Sequence, residues 1–358
     1  MRLPRSLQGV YPEVFEGLAM TIVTILNAPI LLIKLWAHGR MEFIEIERKS
    51  RVLTKAQFGC LKDAYTFNIT RGCEFLCVYC YARGYPGAPF SGEVHLYRNL
   101  PEKLAGELDN PRRRSVVDWV VFNTASDSFQ THPTVLDITY RTMKVLLERG
   151  IGFSFLTKGW IPDRFIKLFS SHPEMVTARI GLVSLSPRYR DVFEPNTATP
   201  TERLQNIERL REAGMEVDVR IDPIIPFYTD DEDSIKRLYQ ALAERDIKRV
   251  SISYLHLRPA ILDQLQRELP ATEFNLLRSC FESQSWKVVG SSTQSKLIPL
   301  LLREKGYGRF IALSKDFGIK PFICACKNPD MPAHQCSTAV RRKQAQREET
   351  GQLSLFAC

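Results

Sequence analysis

Between Cys80 and Cys280 the chain has no cysteine at all, and its nine cysteines are an odd number drawn into clusters. That distribution argues against the disulfide framework of a secreted domain and for metal ligation in a reducing, cytoplasmic setting. Long unbroken apolar runs are lacking too. The nearest approach, Ala19 to Trp36, is barely the length of a bilayer span and is interrupted by Asn27, Pro29 and Lys34, so no stable membrane association is expected. No small-residue cleavage site follows Trp36, which argues against a signal peptide. No internal repeat is present. What remains is ordinary for a globular protein: 44% hydrophobic and 25% charged residues. The net charge is +9, from 49 basic against 40 acidic residues. This surplus favours polyanions but serves solubility equally well.

From Asp63 onward short apolar runs alternate with longer amphipathic ones, the pattern of strand–helix units over a parallel sheet. Strands are predicted at Tyr65 to Ile69, Ser115 to Phe122, Gly152 to Leu156, Val176 to Leu185, Glu216 to Ile221 and Arg249 to Tyr254. Helices are predicted at Leu100 to Leu108, Pro133 to Glu148, Asp163 to Phe169, Thr201 to Ala213 and Asp231 to Arg245. Prolines open several of them and Gly150 and Gly214 close two. Six units are too few for the complete eightfold barrel. The expected fold is therefore α/β, a partial, open (β/α)6 TIM-like barrel with a cysteine-containing C-terminal extension. Residues 1–40 are expected to be an N-terminal extension, 41–62 a lead-in with a strand-like start, 63–260 the barrel, 261–337 the C-terminal extension and 338–358 a mobile tail.

The stretch ITRGCEFLCVYCYARG, Ile69 to Gly84, follows the first predicted strand and places Cys73, Cys77 and Cys80 in CxxxCxxC spacing. Thiolates are the soft ligands that iron–sulfur clusters use, and three from one loop hold three irons while leaving a fourth open to a chelating ligand. Zinc with His95 as a fourth ligand is a weaker account, because of the distance and the three-residue first gap. Buried structural thiols are the plainest alternative.

This loop, with Tyr79 just before its last cysteine, resembles that of the radical SAM superfamily. The likeness narrows to the spore photoproduct lyase-like, DNA-repair-photolyase-like branch through SDSFQ (Ser126 to Gln130), LTKG (Leu156 to Gly159), VSLS (Val183 to Ser186), FEP (Phe193 to Pro195) and DPIIP (Asp222 to Pro226). The resemblance implies a four-iron, four-sulfur (4Fe–4S) cluster on Cys73, Cys77 and Cys80. It implies S-adenosylmethionine as cofactor, opened reductively to a 5′-deoxyadenosyl radical, and a flavodoxin- or ferredoxin-like electron donor. It places Tyr79 and Tyr81 by the cluster and cofactor, Ser126 or Asp127 near the methionine ammonium, and Lys158 and Ser184 in contact with S-adenosylmethionine. Each has a duller reading: core aromatics, an N-terminal cap at Asp127, a surface charge at Lys158. One departure stands out. The lyase pattern has a cysteine just before the strand-end serine, where this chain reads NTASD, Asn123 to Asp127.

Cys324, Cys326 and Cys336 form a second group, with Cys280 a more distant candidate. An auxiliary iron–sulfur cluster, or a zinc site that includes His334, would use such ligands; unligated thiols or a redox pair are the alternatives. The tail contains QLSLF, Gln352 to Phe356, which resembles the peptide by which bacterial DNA polymerases and repair proteins bind the replication sliding clamp. Candidate DNA contacts are Arg112 to Arg114, Arg188 and Arg190 flanking Tyr189, Arg258, and Trp286 with Lys287. Together these features imply a lyase-like radical enzyme that repairs or modifies a nucleobase in DNA. The alternatives are radical chemistry on a small molecule or protein, and a non-enzymatic iron–sulfur module that binds DNA or senses redox state.

Overall fold

Runs such as WVVF at Trp119–Phe122 and GFSFLT at Gly152–Thr157 are buried along almost their whole length, as strands covered on both faces must be. The computed structural model describes residues 41–57, 59–289 and 294–331. In chain order it contains β1 (Glu42–Ile46), β2 (Thr54–Lys55), β3 (Tyr65–Phe67), β4 (Thr70–Arg71), β5 (Glu93–Tyr97), α1 (Leu100–Leu108), β6 (Trp119–Phe122), α2 (Pro133–Leu147), β7 (Gly152–Thr157), α3 (Asp163–Ser170) and β8 (Val176–Gly181). It continues with α4 (Pro187–Phe193), α5 (Pro200–Glu212), β9 (Glu216–Ile224), α6 (Glu232–Ala243), β10 (Arg249–Tyr254), α7 (Pro259–Glu268), α8 (Ala271–Ser279), β11 (Lys287–Val288), β12 (Gln294–Ser295), α9 (Leu300–Ser314) and β13 (Lys320–Ile323).

The main sheet runs β13-β10-β9-β8-β7-β6-β3-β2. Every neighbouring pair in it is parallel except β2 with β3. Its two ends, β2 and β13, are not paired with each other, so the barrel is open and partial. A smaller sheet, β1-β5-β4, lies beside the start of the cysteine loop. The core is one large cluster in which Phe122, Phe153, Phe165 and Phe169 pack beneath the helices. Among the described residues no helix is long and apolar enough to cross a membrane.

The six expected strand–helix units are present. Helix α5 starts where Thr199 accepts from the backbone of Glu202 while Glu202 accepts from that of Thr199, a reciprocal cap worth about 1 kcal/mol. Three differences matter. Strand β8 stops at Gly181, so Ser184 stands in a loop rather than on a strand. Helices α4, α7 and α9 were not foreseen. Helix α9 was hidden by Gly306 and Gly308, which lower helix propensity. Gly306 is there because a Cβ would lie 1.7 Å from the Tyr254 hydroxyl. Finally, β13 adds a seventh parallel strand from beyond residue 260. Its KPFI sequence is too short to read as a strand by periodicity, and Pro321 is tolerated because the strand is at an edge.

Candidate metal and cofactor site

The cysteine loop leaves β4 through Gly72, whose φ of +78° and position 2.8 Å from the Glu93 carbonyl, measured from an added Cβ, admit only glycine. From there the loop is held on several sides. The Glu74 amide donates to Gln130 Oε1 (2.9 Å), and its carboxylate accepts from the Thr131 amide. The Val78 amide donates to the carbonyl of Phe193 at the end of α4 (3.0 Å). Gln264, on α7, donates to the Val78 carbonyl (2.7 Å), with Cys77 and Cys80 carbonyls at 3.4 Å. Arg83 pairs with Glu268 on the same helix. A cavity of about 160 Å³ opens against the loop, lined by Gly72, Cys73, Cys80, Ala125, Gln264 and Arg267 among others.

Burial, with Glu194 nearby, pushes the Cys77 thiol up to about 12. Burial and then Asp127 raise Cys73 as well. In the metal-free protein both are neutral thiols, so loading a metal releases protons.

Beneath the loop is an ionic pair that the sequence did not announce. Glu194, of the FEP motif, is fully buried and pairs with Arg203 at 2.6 Å. It also accepts from the Tyr79 hydroxyl. Burial opposes ionisation of Glu194, but the charges of Arg203 and Lys158 and the Tyr79 hydrogen bond outweigh it, holding the carboxyl below the usual range. Arg203 donates further to the carbonyls of Gly181 (2.8 Å) and Ala198 (2.9 Å). Tyr79, predicted beside the cluster, is thus fixed by a buried carboxylate, and the Lys158 ammonium lies 5.8 Å from its ring centroid.

At the end of β6 the two candidates Ser126 and Asp127 differ. Asp127 Oδ1 accepts from the Phe129 amide (2.9 Å) and the Thr157 hydroxyl (2.7 Å), and Oδ2 from the Lys158 amide (2.9 Å). Its carboxylate ties the β6 and β7 strand ends together and so positions Lys158. The Ser126 hydroxyl is buried without a hydrogen-bond partner, an unmet valence of the kind a bound polar ligand fills. Ser184 accepts from the Ser186 amide at 3.1 Å, which shapes the loop after β8. The Tyr81 hydroxyl donates to the Thr124 carbonyl; its half-exposed ring lies 5.6 Å from that of Tyr85 and 4.9 Å from the Arg258 guanidinium.

Of the second cysteine group, Cys336 lies outside the described residues, as do His334, the QLSLF peptide and residues 1–40. Cys280 does not join it: the side chain is buried and its thiol bonds the Leu276 carbonyl at 3.5 Å. The residue that does join is Cys60. Its sulfur and those of Cys324 and Cys326 all lie within 4.8 Å of one another. Nothing in the sequence spacing links Cys60 to residues so distant along the chain.

The proposed DNA-contacting set is also rearranged. Tyr189 is buried, stacked on Phe193 at 5.2 Å, with its hydroxyl 3.5 Å from Glu194; it is a core residue and has no face for a base. Arg190 is spent on the Thr197 carbonyl and Asp191, and Arg188 pairs with Glu273. Arg112 and Arg114 are exposed, Lys296 rather than Lys287 lies over Trp286, and Arg258 is the one of the set beside Tyr81.

Residues 67–242 match the model of the Radical SAM superfamily. The chain carries a radical SAM domain. The chain is similar to an uncharacterised protein of Mycobacterium tuberculosis, 30% identical over 227 residues, 60% of this chain and 66% of that one. The chain therefore spans about two thirds of that relative's length. It is 23% identical over 225 residues, 62% of this chain and 45% of the other, to a radical SAM Nα-GlyT isomerase of Pseudomonas phage M6. Its fold is similar to that of spore photoproduct lyase in complex with a dinucleoside spore photoproduct, at a TM-score of 0.62 and 15% identity over 89% of this chain and 96% of that one.

Proposed function

We propose that this protein is a radical S-adenosylmethionine enzyme acting on a nucleobase in DNA. The observation that carries the chemistry is the cysteine loop itself. Cys73, Cys77 and Cys80 leave a strand end on a backbone clamped by Gln264 and Phe193, and two of them line one cavity. Unlike the second group, their sulfurs are not all drawn within 4.8 Å of one another, which suits ligands to three different irons of a 4Fe–4S cluster better than ligands to a single ion. When bound, the cluster and S-adenosylmethionine supply reductive cleavage to a 5′-deoxyadenosyl radical.

The chain's own residues bind and orient. Ser126, with its unmet buried hydroxyl, takes a polar group of the methionine moiety, and Lys158 takes the carboxylate. Asp127 holds Lys158 by its amide, Tyr79 supports the loop from below, and Ser184 shapes the loop opposite. The DNA part of the proposal rests on the basic surplus, on the fold shared with a lyase whose complex holds a dinucleoside photoproduct, and on Arg258 beside the half-exposed ring of Tyr81. The Asn123–Asp127 turn has no cysteine, so hydrogen return through a cysteine at that position is not part of it. Electrons come from a flavodoxin- or ferredoxin-like donor in the cytoplasm, and Gln352 to Phe356 recruit the enzyme to the sliding clamp.

The test is anaerobic reconstitution with iron and sulfide, then reduction with S-adenosylmethionine with and without undamaged or ultraviolet-damaged DNA. The expected result is DNA-stimulated 5′-deoxyadenosine together with a changed base. Stimulation by a small metabolite or a peptide alone would move the substrate to another class; no cleavage in fully loaded protein would leave only the binding module.

A further inference from the structure

Among the described residues the main sheet ends at β2 and β13 with neither edge paired further, and the three sulfurs that converge come from the elements next to those ends. Cys60 is in the short 3-10 turn Gly59–Leu61 that joins β2 to β3. Cys324 directly follows β13, and Cys326 is in the turn Ala325–Lys327 after it. The two turns pack on each other. All three sulfurs lie within 4.8 Å of one another, and those of Cys324 and Cys326 are 2.9 Å apart, too far for a disulfide bond of about 2.05 Å.

We propose that Cys60, Cys324 and Cys326 bind a single zinc ion that clasps the two free ends of the open barrel. The spacing selects the metal. Zinc–sulfur bonds of about 2.3 Å in a tetrahedron put the sulfurs about 3.8 Å apart, inside the 4.8 Å that encloses the group, so the Cys324 and Cys326 sulfurs, 2.9 Å apart without metal, need only spread slightly to bind it. A cubane ligates each cysteine through a different iron and needs a wider spread, the arrangement left to Cys73, Cys77 and Cys80. Three thiolates on one divalent ion carry net negative charge, and the surroundings answer it. Arg220 lies close enough to Cys60 and Cys324, and Arg179 to Cys60, to interact with them electrostatically. Arg220 and Lys327 are oriented in turn by Asp222, each at 2.6 Å, the outer support that metal ligands generally require. On the other side Leu61, adjacent to Cys60, packs on Ala64, Trp119 and Val121, so the turn is anchored to β3 and β6 before a metal arrives.

The clasp would join the lead-in segment to the seventh strand by a bond rather than by packing alone. It does not depend on whether the first cysteine group holds a cluster, and the experiment keeps the two apart. Full-length protein is purified from zinc-supplemented culture, and zinc, iron and acid-labile sulfide are measured. Wild type is compared with a Cys73→Ser/Cys77→Ser/Cys80→Ser variant and with Cys60→Ser. About one zinc per chain is expected in the first two, as one tetrahedral site requires, and a loss of most of it in Cys60→Ser. Chelation of wild type is expected to lower its melting temperature to that of Cys60→Ser. Should Cys60→Ser fail to fold, titration of the metal-free triple variant, which of the two cysteine groups keeps only that of Cys60, with cobalt gives the same answer: one equivalent should produce the intense visible bands of tetrahedral thiolate-bound cobalt. Iron with labile sulfide retained by the triple variant, zinc at trace level in wild type, or a Cys324–Cys326 disulfide in place of metal would each overturn the proposal.

Discussion

Removing the Arg203 side chain while leaving Glu194 in place, as in Arg203→Met, should be among the most damaging single changes in the barrel. Glu194 is 0% and Arg203 2% exposed, so neither partner can turn to water when the other is lost. Stripping one member from a buried pair costs about 3–5 kcal/mol, two to four decades in the folding constant, against a domain total of about 5–15 kcal/mol. The Gly181 and Ala198 carbonyls lose their donor at the same time. Glu194→Met/Arg203→Met removes both charges, so the double variant should be less destabilised than the two singles added together, by about 2–3 kcal/mol. Urea unfolding of the metal-free protein, followed by circular dichroism, measures all three.

A pH series adds a signature. The Glu194 carboxyl is held below its unfolded value of about 4.3. Its contribution is therefore complete above that pH and is lost as pH falls through the lower folded value. Glu194→Gln should flatten that part of the acid limb. Single variants losing less than about 1 kcal/mol, or a strictly additive double, would show that the pair does not brace the loop as the 2.6 Å contact implies.

Two further substitutions address the loop and the cofactor. Gln264→Ala strips the Val78 carbonyl of its 2.7 Å partner, which costs about 1–3 kcal/mol of local stability; iron loss to a chelator should quicken by about 5–150-fold, and an unchanged rate would show that α7 does not hold the loop shut. Lys158→Met should weaken S-adenosylmethionine binding by about 10–150-fold, the worth of one charge-assisted hydrogen bond, while leaving the cluster's absorption intact; equal affinity by calorimetry would remove Lys158 from the site.

How much of this was legible in the sequence depends on how far apart the cooperating residues lie. The alternation of apolar runs reported the repeated units because each strand and its following helix are neighbours, and Pro200 after a threonine marked a helix start within one turn. CxxxCxxC was legible for the same reason. Cys60 was not, because its partners meet it only after β13 has been laid against β10, and spacing carries no trace of that pairing. Glu194 stood in the sequence only as the middle of FEP and Arg203 as one more charge of a helix, and their pairing shows only once α4, PRYRDVF, is a helix that buries Tyr189 and Phe193. The same burial removed Tyr189 from the candidate DNA face. At the β6 turn the sequence offered Ser126 and Asp127 as equals, and only hydrogen bonding separated them.

Gln264 follows Cys80 by 184 residues. On a ribosome adding about 5–20 residues per second, about 10–40 s pass between the emergence of the three thiols and that of the helix that covers them. For that interval the nascent loop is open to oxidants and to assembly factors alike, so cluster insertion is best timed before translation reaches α7. Chains stalled just short of Gln264 should react with a thiol probe at Cys77 and Cys80 faster than released protein, and equal reactivity would mean that the loop shuts without its clamp.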